Sequence, residues 1–197
     1  MACDSNKDMK STVSHSTIES LRGHIADAKD PIVAGVAVSA VSAGLGMALL
    51  ALTLKVASRR KDFAGDRARL RALLNAANKE SARLVRYADE DIAAYQKYRN
   101  RLKRKRGIDA ALSRIIETPL EAAGSAARGL DLCAEAVSLV PLSVASDLGA
   151  AETLLAGAVR AILLTVDVNL LQLPAKSELR RGATRQVKII LGKVKSS

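Results

Sequence analysis

The chain has 197 residues, 49% apolar but only 2% aromatic, and 31 basic against 20 acidic side chains give it a net charge of +11. That length suits one domain with a real core, while two histidines leave little material for a histidine metal site or a histidine-based triad. The two cysteines, Cys3 and Cys133, form no metal or redox spacing. The apolar mass is Ala, Leu, Val and Ile, and strand and hairpin signals are nearly absent, so the expected fold class is all-α.

Residues 1–14 read as a flexible N-terminus and 15–197 as a single helical domain. The first thirty residues are polar and mixed in charge, without a secretory pattern, so a cytoplasmic setting is expected. Ser16-Thr-Ile-Glu19 reads as a capping box that opens a short helix ending near Ala28. Pro31 stands near the start of a long helix: from Pro31 to Leu54 there are 24 residues without a charge, and Lys55, Arg59, Arg60 and Lys61 follow. Asp66 caps a third helix, whose apolar face is Leu70, Leu73, Leu74 and Leu84 and which runs to about Arg106, with a break near Gly107. Thr118-Pro-Leu-Glu121 places threonine at N-cap, proline at N1 and glutamate at N3, and predicts a helix start there, running to about Val140. Ser146 caps a second long apolar helix that ends before Pro174, and a basic helix covers roughly Ser177 to Leu191. The sum is a bundle of about six to seven helices.

Two long apolar helices raise the question of membrane spans. The second carries Glu152, Arg160 and Asp167, which are costly in a lipid-facing segment. In the first, 11 of the 24 uncharged residues are Ala, Gly or Ser, which contribute little transfer free energy but let helices approach closely. Both therefore read as buried helices of a soluble bundle, with no membrane span.

Three stretches carry candidate chemistry. In "RYADEDIAAYQKY", Tyr87, Asp91, Tyr95 and Tyr98 recur at helical spacing and share one face. A carboxylate among phenols suits a site, where burial would raise the Asp91 pKa towards general acid/base work; a core stripe with Asp91 bonded to a tyrosine hydroxyl is the structural alternative. In "SVASDLGAAE", Asp147 falls in the first turn of a helix, where the macrodipole alone explains it. Asn169, later on the same helix and near the same face, is a polar residue in apolar surroundings and needs a partner. "KYRNRLKRKR" holds seven basic residues in ten, a solvated helix end or an anion-binding rim; nucleic acid is not expected, since no stacking aromatics beyond Tyr98 accompany it. Gly35, Gly44 and Gly46 make neither a P-loop nor a dinucleotide fingerprint.

The order of these segments resembles the cyclodeaminase/cyclohydrolase family, which comprises methenyltetrahydrofolate cyclohydrolases and the cyclodeaminase domain of formiminotransferase-cyclodeaminase. The likeness covers roughly Thr17 to Leu173. The family's Gly-Gly-Gly-Ser turn into a long Ala/Gly helix is echoed by "DPIVAGVAVSAVSAGLGMALLALTLK", its "EEDA" helix by "ADEDIAAY", its "VPLE" by "TPLE", and its "SD" start and "NL" ending by "SDLGAAETLLAGAVRAILLTVDVNL". The resemblance implies a helical bundle that pairs into a homodimer, with a tetrahydrofolate derivative bound near the interface as substrate and no tightly bound cofactor or metal. Its chemistry would be making or opening the amidinium-like methenyl bridge between two folate nitrogens. Asp91 and Asp147 fall on the family's "EEDA" and "SD" aspartates and would be the catalytic pair; Tyr87, Tyr95, Gly35, Ser146 and Asn169 would bind substrate. The chain also departs from the pattern: Ile32-Val33-Ala34-Gly35 replaces the glycine-rich turn, and Thr165 replaces the first asparagine of the closing element. Two other readings stay open: a divergent member acting on a non-folate amine or imine, and a non-catalytic helical anion binder.

Overall fold

The computed structural model describes residues 12–27 and 30–195. Its helices are α1 (Ile18–Asp27), α2 (Gly35–Arg59), α3 (Arg67–Arg104), α4 (Ile108–Ala136), α5 (Ala145–Leu170) and α6 (Glu178–Lys195), with 3-10 turns at Val13–His15 and Leu142–Val144. No strand occurs among the described residues, so the all-α expectation holds. Most of the expected flexible segment 1–14, with Cys3, lies outside the described residues. Val13 and Ser14 lie inside and are held: the Val13 N–H donates to Asp89 at 2.6 Å and the Ser14 hydroxyl at 2.7 Å.

Local signals set several boundaries. The Asp66 carboxylate accepts from the N–H groups of Ala68 (2.8 Å) and Arg69 (3.1 Å), which caps α3 as its sequence indicates. The break between α3 and α4 falls where Lys105 and Gly107 take left-handed conformations, φ 50° and 67°, and glycine adopts this without a Cβ penalty. The basic run Lys97–Arg106 ends α3, favourably placed against the helix dipole, and Arg99 pairs with Asp30.

Other boundaries differ from expectation. Thr17, not Ser16, caps α1: its hydroxyl accepts from the Ser20 N–H at 3.1 Å, while the Ser16 hydroxyl donates back to the Thr12 carbonyl. α2 begins at Gly35, past Pro31, and continues to Arg59. α5 starts at Ala145 out of a 3-10 turn, so Ser146 lies in its first turn and does not cap it. The largest correction concerns Thr118: no helix starts there, and α4 runs unbroken from Ile108 through Pro119. Leu112, Ile115 and Ile116 are buried in the turns before the proline, and packing of that face overrides the local cap signal. The Thr118 hydroxyl caps nothing; it is buried without a hydrogen-bond partner among the described residues.

α2, α3, α4 and α5 form a four-helix core in which α2 neighbours α3 and α5, α4 neighbours the same two, and α6 lies over α4 and α5. The pairings are antiparallel. Gly44 of α2 meets Ser81 and Val85 of α3, whereas Gly46 meets Ala151, Leu154 and Leu155 of α5. Residues two positions apart on a helix point about 200° apart, so each glycine serves one flank. A Cβ at Gly44 would stand 3.1 Å from Val85, and one at Gly46 3.1 Å from the Ala151 carbonyl. The small residues of the uncharged stretch therefore do what their sizes imply: they let two helices lie close against α2.

α2 and the Leu142–Leu170 segment are long and apolar enough to cross a membrane by length and composition. Each turns one side into the core, through Val36, Met47, Leu50 and Leu54 on α2 and Leu155, Ile162 and Val166 on α5. Their other sides form an open face along the α2/α5 seam, where Leu45, Leu52, Leu154, Leu164 and Val168 are exposed.

Candidate active site

Asp91 continues the inward stripe of α3. Leu70, Leu73, Ala77, Leu84 and Ala88 are buried at helical spacing, and Asp91 falls on the same face, one turn beyond Leu84–Ala88 and half-buried. It makes no hydrogen bond or ion pair among the described residues. Burial, uncompensated by any partner, pushes its carboxyl pKa from 3.8 up to about 6. The alternative of an Asp91–tyrosine hydrogen bond is not what the structure shows.

The helix register sets the surroundings of Asp91. Gly44 lies against Ser81–Val85, and nine residues back along α2 and nine onward along α3 bring Gly35 level with Asp91. A Cβ on Gly35 would lie 3.9 Å from the Thr165 hydroxyl, so α5 reaches this level at Thr165. One turn on, the Asn169 side-chain amide donates to the Ile115 carbonyl of α4 at 2.8 Å. Four helices thus converge near Asp91, with the exposed Gly35 and the half-buried Thr165 on the α2/α5 seam.

The remaining expected site residues scatter. Asp147, half-buried in the first turn of α5, and exposed Ser146 lie 18 and 19 residues before Thr165. That is about 27 Å along the helix, so the two aspartates occupy opposite ends of the bundle within one chain. The tyrosine stripe also divides. Tyr98 is buried and its hydroxyl donates to the Gln172 side chain. Tyr95 is exposed. Tyr87 opens into a separate hollow between α3, α4 and α6, and burial together with the Glu121 charge raises its pKa. Asn169 is half-buried, and its amide N–H is committed to Ile115.

One charged cluster escaped the sequence reading. Glu80, 8% exposed, accepts from the Ser125 hydroxyl, from Arg128 through Nε (3.2 Å) and Nη2 (2.9 Å), and from Arg83 at 3.0 Å. Burial acts to raise its pKa, but the bonds from Arg128 and Ser125 and the charges of Arg128 and Arg83 outweigh it and hold the carboxylate below its usual range. The available signal was a carboxylate placed four residues before Leu84 on the same apolar stripe. Cys133, by contrast, offers no nucleophile: burial and the Glu152 charge push its thiol up to about 12.

No curated protein matches the chain in sequence. Its fold is similar to that of the crystal structure of a formiminotetrahydrofolate cyclodeaminase from Thermotoga maritima, with a TM-score of 0.88 and 17% sequence identity over 93% of this chain and 92% of that one. The family described as formiminotransferase-cyclodeaminase matches residues 17–186, from the cap of α1 into α6, with Asp91, Asp147 and the whole four-helix core inside the match. The chain therefore belongs to the formiminotransferase-cyclodeaminase family.

Proposed function

We propose that the protein is a cytoplasmic enzyme that makes or opens an amidinium-type carbon–nitrogen bridge on a tetrahydrofolate derivative, with Asp91 as its proton shuttle. The observation that carries this reading is the carboxyl of Asp91, inward-facing, without a partner among the described residues and raised to about 6 by burial, in a chain of this family. Near neutral pH such a group populates both forms and serves as base and acid in turn. In the opening direction, water adds its oxygen to the bridge carbon and gives a proton to the Asp91 carboxylate. The carbon–nitrogen bond then breaks with its electron pair on nitrogen, which takes that proton. In the forming direction, one folate nitrogen adds to the formimino carbon, Asp91 takes its proton and passes it to the departing amine, and ammonia leaves. The carboxylate also steadies the cationic bridge.

A second copy of the chain completes the site in this reading. The open α2/α5 face carries five exposed large apolar side chains, more than a lone helix pair leaves to water without cause. A two-fold axis lying in the plane of that face and perpendicular to α2 and α5 sets the helices of the two copies antiparallel. It brings the Gly35–Asp91 end of one copy beside the end carrying Asp147 of the partner subunit. The separation of the two aspartates within one chain supports such a shared site.

The test is spectroscopic. Purified protein speeds the loss of methenyltetrahydrofolate absorbance, or its formation from the formimino compound, and Asp91→Asn removes the rate. No rate above buffer in either assay overturns the folate reading. Val33 is buried and Ile32 half-buried where the family has glycines, which favours a second reading, a non-folate amine or imine as substrate. A substrate screen that finds turnover lost in Asp91→Asn, with both folates inert, selects it.

A further inference from the structure

Thr165 stands apart from the other threonines inside helices. Thr53, Thr153 and Thr184 each return their hydroxyl to a carbonyl three or four residues back on their own helix, at 2.8 to 2.9 Å. Thr118 is sealed in the core. Thr165 is half-buried, and its hydroxyl has no hydrogen-bond partner among the described residues. It lies on the α2/α5 seam, 3.9 Å from where a Gly35 Cβ would stand.

Two registers bring this hydroxyl opposite Asp91. Gly35 is level with Asp91 through the Gly44–Val85 contact on one flank and with Thr165 on the other. Independently, neighbouring helices in the ring are antiparallel, so α3 and α5 run parallel, and the Tyr98 hydroxyl on α3 donates to Gln172 just past the end of α5. Seven residues back along each, about two turns and nearly the same face, stand Asp91 and Thr165. Tyr98 crosses the ring with a phenol. The carboxyl and the hydroxyl are shorter and do not bond one another, and Gly35 adds no side chain beside them. Both polar groups therefore face one gap at the mouth. Burial alone acts on the Asp91 carboxyl, with no charged group among the described residues contributing.

We infer that Thr165 is a further catalytic residue: its hydroxyl and the Asp91 carboxylate hold between them the small molecule that the reaction exchanges, water in the opening direction and ammonia in the forming one. Water placed there donates one O–H to each group, which leaves an oxygen lone pair for the bridge carbon. The proton it gives up goes to Asp91, and the other stays on the oxygen, against Thr165. In the forming direction the departing amine takes its proton from Asp91 while one of its N–H groups donates to the Thr165 oxygen. The hydroxyl sets the direction of attack and the carboxyl moves the proton. The chemistry rests on the proposed folate reading; the link between the two side chains does not, since water takes the same place in the free protein.

Thr165→Val and Thr165→Ser test this. The Asp91 carboxyl-carbon NMR signal, identified by its loss in Asp91→Asn, is followed through pH. In Thr165→Val, which keeps the shape, the water loses an anchor and donates less well to the carboxylate, so the Asp91 midpoint is expected to rise by about half a pH unit or more. With methenyltetrahydrofolate the same variant is expected to lose about tenfold or more in kcat, with KM within about twofold of the parent. Thr165→Ser keeps the hydroxyl and the parental values of both, and an unchanged circular dichroism spectrum checks the fold of each variant. An unmoved midpoint in Thr165→Val, a serine variant that behaves as the valine one, or full kcat in Thr165→Val each overturns the inference. A midpoint moved by valine and restored by serine, with no folate turnover in the parent, overturns the folate reading and upholds the link between Thr165 and Asp91.

Discussion

Asn169 on α5 donates to the carbonyl of Ile115 on α4, the group that Pro119, lacking an N–H, leaves without its usual helical donor four residues on. The bond explains how a proline survives inside a buried helix. It also gives the asparagine a structural occupation at the level where substrate binding was expected. Asn169→Ala leaves the buried Ile115 carbonyl unsatisfied and is expected to cost about 1–3 kcal/mol in urea melts. In a Pro119→Ala background residue 119 supplies an N–H, and the same asparagine substitution costs far less. Equal cost in both backgrounds would break the link between the two residues.

Asp91 makes stability fall as pH rises. Its folded pKa, about 6, lies above the unfolded value near 3.8, so the folded state binds the proton more tightly between them. The group is neutral in its effect below about pH 4 and costs stability as pH climbs through 6, reaching about 3 kcal/mol at most near neutrality. Asp91→Asn removes that cost. The variant should melt higher than the parent at about pH 7.5 and no higher at about pH 4, while turnover is lost. Melting curves across that range check the sign.

Glu80 has the opposite sign. Its folded pKa is lowered, so the stability it contributes is present above its unfolded value and is lost as pH falls through the folded one. Arg128→Ala leaves a buried carboxylate with weaker compensation. Because Arg128 is half-exposed, the expected cost is about 1–3 kcal/mol rather than that of a fully buried pair. The cost shrinks in acid, where Glu80 takes a proton in the variant first. Denaturant titrations at neutral and acid pH distinguish this from a packing effect, which would be independent of pH.

Subunit mixing tests the shared site. If Asp91 works with Asp147 of the partner subunit, Asp91→Asn and Asp147→Asn dimers are each inactive, and exchange between them rebuilds one native site in each mixed dimer. Statistical mixing then restores about a quarter of parental turnover. No recovery after demonstrated exchange removes the pairing. Leu164→Asp, on the open face, should give a folded monomer without activity, seen by analytical ultracentrifugation.

Glycine packing has a clean pair of outcomes. A Cβ at Gly129 would come within 2.7 Å of Met47 Sδ and 2.9 Å of Leu155, both fully buried. Gly129→Ala is expected to lose about 1–3 kcal/mol by overpacking, despite better helix propensity. A Cβ at Gly182 on α6 would meet nothing within 4 Å among the described residues, and Gly182→Ala should gain about 1 kcal/mol. Thermal melts of the two variants should move in opposite directions.

What the sequence disclosed was local or periodic. The Asp66 cap and the Gly107 break depend on neighbours within a few residues, and the structure keeps them, whereas the uncharged stretch is buried on one side only, with Leu45 and Leu52 exposed on the other. The Thr118-Pro-Leu-Glu121 start failed because burial of Ile115 and Ile116 and the donation from Asn169, 50 residues away from Pro119, decide that turn. Asp91 stands out in the sequence by its spacing with Tyr87, Tyr95 and Tyr98, a stripe that the structure divides, and the family likeness adds Asp147. The register that places them at opposite ends of a chain is set by interhelical contacts that no single segment records. Glu80 was missed for the same reason: its partners Ser125 and Arg128 lie on another helix.

The arrangement of α2 to α5 also shapes how the molecule assembles. α2/α3, α3/α4 and α4/α5 are each hairpins of consecutive helices, whereas the α2/α5 contact, where Gly46 meets Leu154, joins residues 108 positions apart. Short-range pairings carry little loop-closure entropy, and the distant one carries the most. Joining α2 to α5 along the Gly35–Thr165 seam therefore carries the largest chain-entropy cost of the four pairings in the ring, and that cost falls beside Asp91.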